Sequence, residues 1–152
     1  MNGWQQIIVS VFGVTSLTLF LVGFYQTKYK KNAFGNFYPL NLIGAFVWGD
    51  AVVFGIFWSV VSAIVLARGD FILFLLVFSV FWLVRSAGEA IYQLLQQFST
   101  KELNSINNFP FLKSIFHNES MWFAYQIYWQ CITVTTLLFS IYFVAIWLKT
   151  VT

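Results

Sequence analysis

Apolar residues in this chain gather in long runs separated by short polar connectors. A helix rises 1.5 Å per residue, so about 20 mainly apolar residues cross the ~30 Å hydrocarbon core of a bilayer. Four runs reach that length and predict helices at about residues 7–25, 40–67, 71–98 and 121–148. The first is followed by a polar connector with Lys28, Lys30 and Lys31, which reads as a solvated or headgroup-facing loop. Pro39 then suits the first turn of the second helix, where no N–H donor is needed. That second segment exceeds a perpendicular crossing, which predicts a tilt or a bend near Gly49. Arg68-Gly69-Asp70 reads as a tight turn, so helices two and three should form an antiparallel hairpin. The same tripeptide is an adhesion motif in extracellular ligands, but a turn explains it here.

The connector 99–120 opens with capping-box spacing at Ser99-Thr100-Lys101-Glu102. Phe109, Phe111, Ile115 and Phe116 predict an amphipathic stretch resting on the cytoplasmic membrane surface, and Asn118 or Ser120 would cap the fourth helix. The predicted fold is all-α: a polytopic membrane protein whose single domain is an antiparallel bundle of four transmembrane helices.

Composition strengthens that reading. The 152 residues are 60% hydrophobic and 22% aromatic, with 9% charged, against about 25% charged in soluble domains. So short a chain cannot hide that much apolar surface in one core, and a bilayer must serve as solvent. The net charge of +3 comes from scattered groups, which argues against nucleic-acid binding. Cys131 is the only cysteine, so no intramolecular disulfide forms, and its depth predicts a buried, inert thiol. The first apolar run lacks a basic leader and a cleavage site, so it is expected to be retained.

Orientation follows from lysine and arginine counts. Connectors one and three hold Lys28, Lys30, Lys31, Lys101 and Lys113, whereas the opposite side holds Arg68 and Lys149. Both termini are therefore expected on the non-cytoplasmic side of the cell (cytoplasmic) membrane. Trp4 and Trp147 would mark one interface, and Tyr25, Tyr38 and Trp122 the other. The Asn118-Glu119-Ser120 sequon would then face the cytoplasm.

Polar residues within the apolar runs are the candidates for function. On helix three, Trp82, Arg85, Glu89, Tyr92 and Gln96 recur at three- and four-residue steps, and Arg85 and Glu89 form an i,i+4 pair. Helix two contributes Asp50, and helix four contributes Gln126, Gln130, Thr133 and Ser140. Counted from the predicted helix ends, Asp50 lies about 18 Å deep and Arg85 about 20 Å, with Gln130 and Thr133 at a similar level. A lone charge at mid-bilayer costs about 2.5–3.5 kcal/mol on insertion scales, so the groups should pair. Two carboxylates facing one arginine leave a surplus acid that must be protonated, meet water or hold another cation. Helix two also carries a small-residue row at four-residue spacing, Ala51, Gly55, Ser59 and Ala63, suited to close helix packing.

Other chemistry is sparse. His117 is the only histidine, and no phosphate loop, serine elbow or HExxH occurs, so no metal or cofactor is expected. The expected function is a small non-enzymatic membrane protein: a subunit, or a partner- or lipid-binding protein built around a buried ion-pair network. The second reading is an oligomeric proton- or cation-coupled transporter or channel-like protein using the surplus carboxylate. The third is a lipid-modifying enzyme with Glu89 or Asp50 as acid–base group. Expected partners are the lipid bilayer and a second copy or another membrane subunit.

Overall fold

The computed structural model describes residues 1–99 and 120–151, all-helical apart from short connections. They form α1 (Gly3–Lys28), a short 3-10 helix (Tyr38–Ile43), α2 (Trp48–Arg68), α3 (Phe71–Phe98) and α4 (Ser120–Val151). The four α-helices are each long and apolar enough to cross a membrane. The capping box, amphipathic stretch, sequon and His117 of the expected 99–120 connector lie outside the described residues. The chain divides into two compact units, Met1–Val77 with Ile146–Thr152, and Phe78–Ala145.

In the first unit α1 and α2 pack closely along a seam of small residues. A Cβ added to Gly55 would lie 2.7 Å from Phe20 Cβ and 2.8 Å from the Ser16 carbonyl oxygen. One on Gly13 would meet Ser62 Cβ at 2.7 Å, and one on Gly23 would meet Ala51 Cβ at 3.0 Å. The α1 positions rise as the α2 positions fall, so the helices run antiparallel. The buried residues of α2 are Trp48, Ala51, Gly55, Trp58, Ser62 and Val65. Their alternating steps of three and four hold one face, because seven residues fall only about 20° short of two full turns. The expected row drifts instead: each four-residue step advances about 40°. Ala51 and Gly55 therefore lie in the seam, Ser59 is half-buried with its hydroxyl donating to the Gly55 carbonyl at 2.7 Å, and Ala63 is exposed. Ser62 takes the next seam position.

Residues 40–47, expected to open the second helix, are not part of it. Pro39 starts the 3-10 helix, and Gly44 ends it in the left-handed conformation (φ +74°), its N–H donating to the Asn41 carbonyl while Ala45 N–H donates to Leu40. With three residues per turn, Leu40 and Ile43 eclipse on one face, and both are fully buried. The chain then returns in extended form to Val47, which bridges Asn36, and the N–H groups of Trp48 and Gly49 donate to Gly35 and Ala33. The segment tucks against α2: the buried Trp58 indole donates to the Ile43 carbonyl at 3.1 Å. Trp58 in turn meets Phe12 edge-on at 5.2 Å between ring centroids.

The other end of this unit is tied by Arg68-Gly69-Asp70. Gly69 adopts a left-handed φ of +65°, and the N–H groups of Gly69 and Asp70 close on the Leu66 and Val65 carbonyls. Asp70 starts α3 by accepting from Leu73 N–H at 3.0 Å, and its other oxygen accepts from the Trp147 indole at 2.9 Å. The Met1 ammonium donates to the Gly69 carbonyl at 3.0 Å, and Trp4 packs edge-on against Phe71. The start of α1, the turn between α2 and α3, and the end of α4 thus share one end of the unit.

The outer surface is far more apolar than that of a water-soluble protein, and polar side chains share the interior with the apolar core. Ile7, Val14, Val53, Val84, Leu138 and Ile141 are exposed, while Ser16, Ser62, Ser79, Ser86, Gln93 and Ser140 are buried.

Candidate functional site

Within the second unit, α3 and α4 are joined by polar rungs. Ser140 Oγ lies 3.2 Å from Ser79 Oγ, and Thr133 Oγ1 lies 3.0 Å from Ser86 Oγ. Gln97 Nε2 donates to Gln126 Oε1 at 2.6 Å. Numbers rise on one helix as they fall on the other, so these segments are antiparallel. Seven residues separate Ser79 from Ser86, and also Gln126 from Thr133 and Thr133 from Ser140, which keeps the rungs on one face. The hydroxyls stay satisfied locally as well: Thr133 and Ser140 also lie 2.8 Å from the Trp129 and Thr136 carbonyls.

The residues expected from sequence divide between this seam and its flank. Gln126 and Thr133 are seam residues. Gln130 is exposed, because a four-residue step from Gln126 carries it about 40° round α4. Arg85 Nη1 and Glu89 Oε1 lie 3.1 Å apart, with side chains 21% and 15% exposed. At 100° per residue they sit about 100° and 60° round α3 from Ser86, beside the seam rather than in it. Tyr92 is half-buried on the same flank, and Gln96 is buried. Sequence reasoning missed Ser79, Ser86, Gln93 and Gln97. The signal was there, in the seven-residue recurrence of Ser79, Ser86 and Gln93 opposite that of Gln126, Thr133 and Ser140.

Asp50 has a different place from the one expected. It lies in the first unit, two residues after the start of α2, or about 3 Å along the helix rather than 18 Å. Its Oδ2 accepts from Phe46 N–H at 3.2 Å, where the N-terminal end of a helix favours a carboxylate. The lone thiol of Cys131, expected to be buried, is exposed. Among the described residues no group of three or more His, Cys, Asp or Glu side chains is placed to hold a metal ion.

The arrangement can hold two helices in register through neutral hydrogen bonds, and it presents one cation and one carboxylate on the flank. No known protein family, curated protein or solved structure matches this chain.

Proposed function

We propose that this chain is a non-enzymatic integral protein of the cell membrane, a subunit whose α3 flank contacts a lipid or a neighbouring membrane chain. In this reading the apolar outer faces meet lipid, both termini are non-cytoplasmic, and the lysines after α1 lie on the cytoplasmic side. Measured from Asp70, about 20 residues of α3 cross the hydrocarbon, so the far boundary falls near residue 91. Arg85 and Glu89 then lie about 9 Å and 3 Å inside it, within reach of the headgroups.

The observation that carries the reading is the separation of the two polar sets. Neutral hydroxyls and amides bond helix to helix, which sets register in lipid. The charged pair sits off that seam, self-paired and partly open. The transporter reading rested on a surplus carboxylate, and the bond from Phe46 N–H gives Asp50 a local role at the start of α2. Proteoliposomes test the choice. No proton or cation flux is expected, while a photo-crosslinker at Tyr92, on the same flank as Arg85 and Glu89, should capture lipid or another membrane chain. A flux that disappears in Glu89→Gln would overturn the proposal in favour of a transporter.

A further inference from the structure

Residues 1–49 hold Lys28, Lys30 and Lys31 but no aspartate or glutamate. All three lysines are exposed, and they stand on a pinned turn rather than a free tail. The N–H groups of Lys30 and Asn32 close on the Tyr25 and Gln26 carbonyls at the end of α1. Lys31 takes the left-handed conformation (φ +51°), which most side chains avoid, and so reverses the chain there. The N–H groups of Trp48 and Gly49 tie the far side of the turn, at Gly35 and Ala33, to the start of α2. The Lys28 ammonium lies 5.2 Å and 5.6 Å from the Phe24 and Tyr29 ring centroids. The first acid after the turn, Asp50, accepts from Phe46 N–H. On the same ordered connection Phe34 and Tyr38 are 90% and 91% exposed.

The level of this turn decides what it meets. Counted about 20 residues on from Trp4, or back from Arg68, the hydrocarbon boundary falls near Phe24 and Trp48. Lys28 then lies about 6 Å beyond it, within the headgroup layer. Two aromatic rings left almost wholly open are unfavourable in water, but they suit that layer, where aromatic side chains anchor a membrane protein. We propose that this connection docks on an anionic phospholipid surface, with Lys28, Lys30 and Lys31 on the headgroup phosphates and Phe34 and Tyr38 settled among the headgroups. An acidic protein would match the lysines but gives no reason for the two open rings, whereas an anionic leaflet accounts for both. The inference rests on the membrane reading above.

The test uses the full chain in vesicles of phosphatidylcholine and phosphatidylglycerol in equal shares. Both leaflets then carry the same lipids, so the orientation of the protein does not affect the result. Lipid retained after extraction is measured by native mass spectrometry. A lysine near an anionic surface contributes about fivefold, so at low salt phosphatidylglycerol should be retained about tenfold or more over phosphatidylcholine. At about 1 M salt, where charges are screened beyond about 3 Å, the ratio should fall below about twofold. Lys28→Gln/Lys30→Gln/Lys31→Gln should abolish the preference at low salt. Arg68→Gln/Lys149→Gln should keep it, because Asp70 offsets the charge at that end of the unit. Equal retention of the two lipids, a ratio unmoved by salt, a preference that survives the lysine variant, or one lost equally in the Arg68 and Lys149 variant would each overturn the surface. Capture of soluble poly-glutamate in place of phosphatidylglycerol would overturn the lipid as its occupant. Vesicle flotation reads insertion separately: protein that does not float defeats the membrane reading, whereas floating protein without the preference defeats only this surface.

Discussion

The closeness of α1 and α2 depends on hydrogen atoms standing where side chains would be. A methyl group at Gly55 would strike the backbone of α1 at Ser16 and Phe20, which cannot move without moving the helix. Gly55→Ala should therefore destabilise the protein by about 1–3 kcal/mol, seen as a lower melting temperature in detergent. Gly88 is the control, because an added Cβ meets nothing within 4 Å there. Gly88→Ala should be neutral or should stabilise by about 0.5–1 kcal/mol through helix propensity. Asp70 serves two donors from different elements, Leu73 N–H and the Trp147 indole. Asp70→Ala should cost about 1–3 kcal/mol, and Trp147→Phe in that background should add little. Additive losses in the double variant would show that the indole bond contributes nothing.

Among the elements, the polar seam makes a quantitative prediction. A double-mutant cycle with Ser86→Ala and Thr133→Ala should give a coupling near 0.6 kcal/mol, typical of hydrogen bonds between membrane helices. A cycle pairing Ser86→Ala with Thr135→Ala should give none, because the exposed Thr135 hydroxyl bonds only its own helix at Cys131. The same elements show what could be read from the sequence. The existence of four apolar helices and the bounds of α3 were legible, because runs of about 20 apolar residues have few other solutions. The turn at Arg68-Gly69-Asp70 was legible for a similar reason, since its glycine and aspartate each do a local job. The start of α2 was not. Residues 40–47 are apolar enough to continue the run, and what stops them is the positive φ of Gly44 together with tertiary ties: the Trp58 bond to Ile43 and the return of Val47 to Asn36. Moving that boundary removed Asp50 from the expected mid-membrane plane. The seam was not legible because single serines and threonines in apolar helices carry weak signals, each able to bond its own helix backbone.

For the molecule as a whole, topology is the prediction most exposed to test. In a Cys131→Ser background, single cysteines at Gly3 and Thr150 should react with a membrane-impermeant maleimide from outside intact cells, and one at Lys30 only after permeabilisation. Labelling of Lys30 from outside would reverse the orientation. The shared end that gathers Met1, Gly69, Asp70 and Trp147 already places the start of α1 and the end of α4 at the same end of their unit.

The tucked segment before α2 bears on where that helix begins. Residues 40–68 are apolar enough to continue as one long helix, and Gly44 is the residue whose left-handed backbone turns the chain out of it. The native path needs Gly44 to turn, and it then needs the Trp58 indole to find the Ile43 carbonyl. The left-handed turn at Gly44 is therefore the local feature that separates the short helix from α2. Replacing it with alanine should favour the uninterrupted helix and lengthen α2 by about two turns, seen as a gain in helical circular dichroism.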